Sequence, residues 1–377
     1  MTAASARNPV AFSGSYEPDD VTILLRPTDI APIAIDMKER LIQSGAKHYS
    51  EMLSAEKLPD ERYMSLYRQA LSRNAGRLRR DVERLAETLA AETLAAETLA
   101  GGAETARTCV IISLARAGTP IGVLLKRALT RIGVDTHHYS ISIIRGRGID
   151  QRALRLIRER HGVATSVFVD GWTGKGAIKT ELVQSLARAD LGFSPFLAVI
   201  ADPAGCADLA ATTEDYVIPS GLLNGIVSGL ISRSVLRDDL VGPDDFHACL
   251  YQIEHAGHDL SRRFIHDIES ADMPMMDTDP WTAEKSVRAG LRSRALIDSM
   301  AQEFRIDDIN RIKPGIAEAT RAILRRVPDL VFVNDDGDPE ITHLLHLAAQ
   351  SGVRVIERDL HPYRAVTVIK SVGGHQE

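Results

Sequence analysis

The sequence predicts an α/β protein built on a doubly wound parallel sheet. Three short apolar runs, residues 109–114, 167–169 and 196–201, have the content of strands buried on both faces. The first two pass through a glycine-containing turn into a segment of helical period. Polar residues stand at the ends of all three: Arg116, Asp170 and Asp202. Strands alternating with helices give a parallel sheet whose ligands bind at the carboxyl ends of the strands.

Composition narrows the class. The chain of 377 residues suffices for two or three domains with a sizeable core. A net charge of −6 argues against a protein that coats nucleic acid. Cys109, Cys206 and Cys249 form no C-x-x-C pair, so neither a zinc knuckle nor a disulfide framework is indicated, and no metal site made by the protein alone is expected. The N-terminal stretch lacks an apolar core of signal-peptide length and no run reaches membrane-spanning length. A cytoplasmic protein without membrane contact is expected.

Taken in order, residues 1–20 read as an irregular arm, 21–25 as a strand closed by Pro27, and 33–53 as a helix. Residues 54–60 break it, and 61–99 are helical again. The end of this helix repeats Ala-Glu-Thr-Leu-Ala three times between Ala86 and Ala100. A five-residue period drifts around a helix of 3.6 residues per turn, so Leu85, Leu89, Leu94 and Leu99 cannot all face one core. Gly101 and Gly102 end it. Residues 1–104 are therefore assigned to an arm and helical extension, and 105–270 to the α/β core.

Within the core, a strand at 109–114, a tight loop at 115–120 and a helix at 121–131 make an anion-binding arrangement, with Arg116 beside the helix N-terminus. A strand at 138–144 follows, then Arg145, Gly146, Arg147 and Gly148, a mobile basic loop suited to closing over phosphates or a solvated charge cluster. The strand at 167–169 stops at Asp170 and turns through Gly171, Trp172, Thr173, Gly174, Lys175 and Gly176 into a helix carrying Ile178, Leu182, Val183 and Leu186 on one face. Gly171 and Gly176 have Walker A spacing, but Ala177 and Ile178 stand where Lys and Ser/Thr are required, which excludes that motif.

The strand at 196–201 ends at Asp202, and Cys206 begins a helix whose dipole lowers a thiol pKa. Ser220, Asn224, Ser228 and Ser232 recur every fourth residue, either lining a polar pocket or allowing close helix packing. Residues 243–251 add Asp244, Asp245, His247 and Cys249. Residues 271–312 read as a proline-rich linker and a helix, and 313–372 as a separate small α/β unit with helices at 314–326 and 339–351 and strands at 330–334, 353–358 and 365–370.

Several of these stretches resemble known families. Val-Phe-Val-Asp-Gly-Trp-Thr-Gly from Val167 resembles the loop of type I phosphoribosyltransferases, and Leu-Ala-Arg-Ala-Gly-Thr-Pro from Leu114 resembles their pyrophosphate loop. The C-terminal unit resembles the Pelota-type RNA-binding domain, with the loop of Asn334, Asp335, Asp336 and Gly337 as the corresponding surface, although its basic and acidic residues balance. As a whole the chain is identified as a member of the phosphoribosyltransferase-like family of bacterial tellurium-resistance and stress operons with a C-terminal Pelota-like domain. That family also carries the label cysteine protease StiP.

The resemblance implies a type I phosphoribosyltransferase-like sheet and an enzyme that takes phosphoribosyl pyrophosphate (PRPP) or a related ribose 5-phosphate, with an unknown acceptor and Mg²⁺ carried mainly by the ligand. It implies catalytic roles for Asp170, Arg116 and Asp202, with Asp170 on the ribose hydroxyls. Substrate binding falls to Ala115, Ala117, Gly118, Ser142, Arg145, Arg147, Gly171, Trp172, Thr173, Gly174, Lys175 and Gly176. The second acid usual after Asp170 is absent, Gly171 standing there, and Gly176 replaces the usual hydroxyl residue. A peptidase would instead use Cys206 with His247 or His48. A non-catalytic regulator that senses PRPP or binds RNA is the third reading, and a homo-oligomer is expected.

Overall fold

The computed structural model describes residues 12–99, 108–273 and 280–371, and in the helix that closes the first stretch it describes side chains as far as residue 92. The glycines at 101 and 102, the side chains of Leu94 and Leu99, the arm before residue 12 and the centre of the 271–312 linker lie outside the described residues.

The N-terminal part gives β1 (Thr22–Leu24), β2 (Arg26–Pro27), α1 (Ile35–Gln43) and α2 (Glu61–Leu99). The helix expected over 33–53 is cut short after Gln43, because Gly45 takes a φ of +72°, and only a short turn at Tyr49–Glu51 follows. Next come β3 (Thr108–Ala115), α3 (Gly118–Arg131), β4 (Asp135–Ile144), β5 (Gly148–Ile149), α4 (Gln151–His161), β6 (Ser166–Trp172), α5 (Ala177–Ala189), β7 (Leu197–Ala201) and β8 (Leu209–Thr212). β9 (Ala248–Cys249) pairs with β2, and α6 (Ser261–Ser270) closes this part.

β1, β4, β3, β6, β7 and β8 lie side by side in that order, every pair parallel, and β5 folds back antiparallel onto β4. Successive side chains of a strand face opposite sides, so Val167 and Val169 join one apolar cluster and Phe168 another. The first cluster takes in α2, α3 and α6, through Leu78, Leu85, Leu125 and Phe264. The second takes in α4 and α5, through Leu154, Ile157, Leu182 and Leu186. Helices thus cover both faces, as the buried strands require. Val183, expected on the inner face of α5, is 41% exposed. Leu85 and Leu89 are both buried.

Other expectations are corrected. β6 does not stop at Asp170, because Asp170 and Trp172 still pair with Val199 and Ala201 of β7. No helix starts at Cys206: residues 203–208 form a turn into β8. The serine-bearing stretch around Asn224 is not a helix either. Pro219–Gly221 and Gly225–Val227 are isolated short turns, and Gly229 takes a φ of +76°.

The C-terminal part comprises α7 (Ala283–Glu303), β10 (Ile312–Pro314), α8 (Ile316–Arg325), β11 (Pro328–Val333), α9 (Thr342–Gln350), β12 (Arg354–Glu357) and β13 (Ala365–Ile369). Its strands form a second, mixed sheet in the order β10, β13, β11, β12. Ile297 and Met300 of α7 cover one face. On the other, Ile316, Ile323, Leu344 and Leu347 of α8 and α9 belong to the same apolar cluster as the main sheet and α2.

Polar ties join distant parts of the chain. Tyr16 Oη donates to the carbonyl of Val227 at 3.0 Å. The carboxylate of buried Asp215 accepts the N–H of Ile316, at the start of α8, and that of Arg364. Tyr363 Oη donates to the carbonyl of Gly174 at 2.6 Å.

Candidate ligand site

The β3–α3 and β6–α5 turns meet at the carboxyl edge of the main sheet. Gly118 makes this possible: a Cβ there would come within 2.4 Å of the Val169 carbonyl, so α3 starts directly against the backbone leading to Asp170. Gly176 takes a φ of +82° as the residue before α5, which turns the N-terminus of α5 towards the same edge. Among the described residues, the Asp170 carboxylate has one direct hydrogen-bond partner, the N–H of Gly171 at 2.8 Å. Burial pushes its carboxyl up to about 7, with Arg321 opposing and Glu318 reinforcing the rise.

The remaining expected residues divide. Arg116, only 5% exposed, donates to both oxygens of Glu56, to the Ile231 carbonyl and to Asn224 Oδ1. The peptide between Ala115 and Arg116 is cis. Ala117 is placed beside Gly171 by its carbonyl, 3.6 Å from where a Gly171 Cβ would stand. Thr173 and Asp202 satisfy each other: the Thr173 hydroxyl donates to Asp202 Oδ1, and the Asp202 carboxylate also accepts the N–H groups of Cys206 and Ala207 and the Ser286 hydroxyl. Asp202 is therefore the hub of a turn. Ser142 is completely buried and bonded to His247 Nδ1 at 2.8 Å, inside the core.

The loop expected to be mobile and basic is tethered by hydrogen bonds and an ion pair, although Gly146 and Arg147 are exposed. Arg145 donates from its guanidinium to Asn310 Oδ1 and from its backbone N–H to the Tyr49 hydroxyl, Gly146 donates to Glu181, and Arg147 pairs with Glu51. Lys175 donates to the carbonyls of Ile309 and Ile312. Burial, helped by nearby Lys313 and Arg145, lowers its ammonium to about 7. Gly174 lies close to Glu318, 3.0 Å from where its Cβ would stand.

What local sequence did not reveal is the wall opposite. α8 of the C-terminal unit lays Arg321 over the ring of Trp172, 4.4 Å from its centroid. One turn further on, Arg325 donates to the same Asn224 Oδ1 that Arg116 uses. Burial, then the nearby Arg116 and Arg321, push the Arg325 guanidinium well below its ordinary range. Lys38 from α1 is lowered to about 8 by burial and by Arg233, Arg326 and Arg325. Beside Glu56 and Asn224 a cavity of about 250 Å³ opens between residues 56–60, Tyr63, Leu223, Leu324 and Leu347. The spacing of Arg321 and Arg325 by one helical turn was visible, but nothing local says which surface they face.

The peptidase constellation is not assembled. Cys206 lies against Gly176 and interacts with Thr173 and Asp202, whereas His247 is turned to Ser142 and His48 to Ser50. Burial pushes all three thiols up to about 12, and at Cys206 Asp202 adds to the rise. Among the described residues, no histidine acts on any of the three thiols.

Fold and site together define a two-part α/β protein: a parallel sheet with polar turns at its carboxyl edge, faced by a helix of a smaller mixed-sheet unit. This chain belongs to the StiP family. Residues 14–269 match the family described as tellurite-like stress resistance cysteine protease StiP, and residues 291–371 match the PELOTA RNA binding domain. The protein named cysteine protease StiP from Acinetobacter baylyi is 43% identical over 376 residues, covering 96% of this chain and 95% of that one. Large ribosomal subunit protein eL8 of Halobacterium salinarum is 37% identical over 79 residues, 20% of this chain and 62% of that protein. Among solved structures, hypoxanthine phosphoribosyltransferase of Trypanosoma cruzi matches 37% of this chain and 80% of its own at 14% identity, with a TM-score of 0.28. Among the described residues no helix is long and apolar enough to cross a membrane.

Proposed function

We propose that the chain is a phosphoribosyltransferase-like enzyme of the cytoplasm that binds PRPP or a related ribose 5-phosphate over Asp170. The observation that carries this reading is the position of that carboxyl: near the end of β6, between two glycine-containing turns that lead into α3 and α5, with the Arg321 guanidinium acting on it. Helix N-termini and guanidinium groups hold phosphates, and a lone carboxylate beside them suits vicinal hydroxyls. In the reaction, the bond from C1 to pyrophosphate breaks as the bond to the acceptor forms, through an oxocarbenium-like centre. The enzyme's share is positioning and stabilising the departing charge.

Mg²⁺ is proposed as an ion carried mainly by the ligand's own oxygens. Gly171 stands where a second acid would help, and among the described residues no group of three His, Cys, Asp or Glu side chains could hold a metal. When bound, it neutralises charge on the pyrophosphate.

The family's description favours a second reading, a cysteine peptidase using Cys206, and one observation supports it: the thiol lies at the Gly176 end of the same turn. Calorimetric titration with PRPP and Mg²⁺ separates the two. Binding by the wild type that survives Cys206→Ser and weakens at least tenfold in Asp170→Asn is expected. No binding by the wild type, together with peptide cleavage abolished by Cys206→Ser, favours the peptidase.

A further inference from the structure

Glu56 has an unusual place in this site. It sits in the irregular segment between α1 and α2, yet its carboxylate takes a bidentate pair from Arg116 and the N–H of Gly225. Burial acts to raise its carboxyl, and Arg116, followed by Arg325, overrides this and holds it at about 2. Arg116 and Arg325 share one neutral oxygen, Asn224 Oδ1, although two guanidinium groups repel each other. Glu56 is the anion that makes this approach tolerable. Unspent donors remain around it: the Nε atoms of Arg116 and Arg321 are buried and have no hydrogen-bond partner. Buried N–H groups are rarely left in that condition.

We infer that the C-terminal unit is part of the ligand site: Arg321 and Arg325 of α8, with Arg116 of the core, form a subsite for a phosphate or diphosphate group, and Glu56 is its internal stand-in. The inference rests on the phosphoribosyl reading and deepens it, since it says which groups hold the leaving anion and where they come from. Three arginines, one from the β3–α3 turn and two from α8, gather around a position that one carboxylate occupies: Arg116 bonds Glu56 directly, and Arg325 and Arg321 act on its charge. A diphosphate brings more acceptor oxygens and more charge than a carboxylate, and it can use the Nε atoms that Glu56 leaves unmatched. Glu56 is carried by a segment without regular hydrogen bonding, residues 52–60, so it can withdraw without breaking a helix or strand.

The inward-facing helix also bears on the RNA-binding description of residues 291–371. The N-terminus of α8 is capped by Asp215, and its arginines face the core. The arginines are turned to the chain's own interior with donor capacity left over, an arrangement that suits a small polyanion better than a folded RNA.

The test is titration of the full chain with inorganic pyrophosphate and, separately, with PRPP, in the wild type and in Arg321→Gln, Arg325→Gln, Arg325→Lys and Glu56→Gln. Thermal melting of each variant checks that it folds. The two glutamine variants at arginine are expected to weaken pyrophosphate binding at least tenfold, with Arg325→Lys intermediate and Glu56→Gln severalfold tighter. Wild-type affinity should fall steeply with added salt. Pyrophosphate binding of equal strength in all folded variants overturns the subsite while leaving the phosphoribosyl reading standing if PRPP still binds. Arginine-dependent pyrophosphate binding without PRPP binding supports the subsite and removes the phosphoribosyl reading. No pyrophosphate binding by the wild type, or displacement of pyrophosphate by an RNA oligonucleotide through the same arginines, overturns the assignment to a small polyanion.

Discussion

Thr173 Oγ1 donates to Asp202 Oδ1 at 2.6 Å, and this bond ties the turn after β6 to the turn after β7. The Thr173 hydroxyl is itself an acceptor for the N–H of Ala204. Two residues that local sequence presents as ligand contacts are thereby partners of each other.

Asp202→Ala should accordingly act on stability first. It leaves two backbone N–H groups and two hydroxyls without their acceptor. At roughly 1–3 kcal/mol for each buried group left unpaired, partly relieved by relaxation, a loss of about 3 kcal/mol or more is expected in urea denaturation. Unchanged stability with abolished ligand binding would instead make Asp202 a ligand contact.

The Asp170 carboxyl gives stability a pH dependence of known sign. Its folded-state pKa of about 7 lies above the ordinary value near 3.9. Between these the folded chain holds a proton that the unfolded chain has released, so this contribution favours folding at low pH and is lost as pH rises towards 7. Above that, the ionised group costs up to about 4 kcal/mol. Asp170→Asn should raise stability at pH 8 relative to the wild type, with the difference growing between pH 5 and 7; Asp215, which burial raises to about 6, and His138 and His343, which burial lowers to about 3, titrate in both proteins and cancel from that difference. Chemical denaturation of both proteins across that range decides the point, since a stability difference that does not change with pH assigns the titration elsewhere.

Thiol chemistry should be slow. With Cys206 pushed up to about 12, only about one thiol in ten thousand is ionised at pH 8. Iodoacetamide should label the folded chain far more slowly than the unfolded chain, and mass spectrometry of the Cys206 peptide reads the rate. Labelling of native Cys206 at the rate of an activated thiolate would restore the peptidase reading.

Gly118→Ala probes the seam between α3 and β6. The added methyl meets the Val169 carbonyl at 2.4 Å, with Asp170 Cα at 3.1 Å, and backbone cannot step aside as a side chain can. A destabilisation of about 1–3 kcal/mol is expected, together with weaker ligand binding because the displaced backbone leads to Asp170. A variant as stable as the wild type would mean that α3 and β6 are less tightly seated.

The sequence made the elements around the site legible, because short-range patterns define them. The long helix at 61–99 was readable to the residue, and the apolar run, glycine turn and helical period located β6 and α5. β6 extends further than its apolar residues because pairing with β7, a tertiary event, continues through Trp172. Cys206 and the stretch around Asn224 carry helical spacing without helix, since turns bonded to distant groups prevail there over local period. The arginines of α8 and Glu56 were illegible as partners, because their encounter depends on how two sheets pack, which no local period encodes.

The bond from Tyr16 to Val227 joins residues 211 positions apart, and β1 takes its place in the sheet only beside β4. During synthesis, the first stretch of chain leaves the ribosome well before either partner exists. At about 5–20 residues per second, the gap between Tyr16 and Val227 lasts roughly 10–40 seconds. For that interval Tyr16 and Ile23 are without the stretch around Val227 and Gly229 that later lies against them. Slow codons placed between these two residues are therefore expected to lower the yield of folded protein more than the same codons placed after α6.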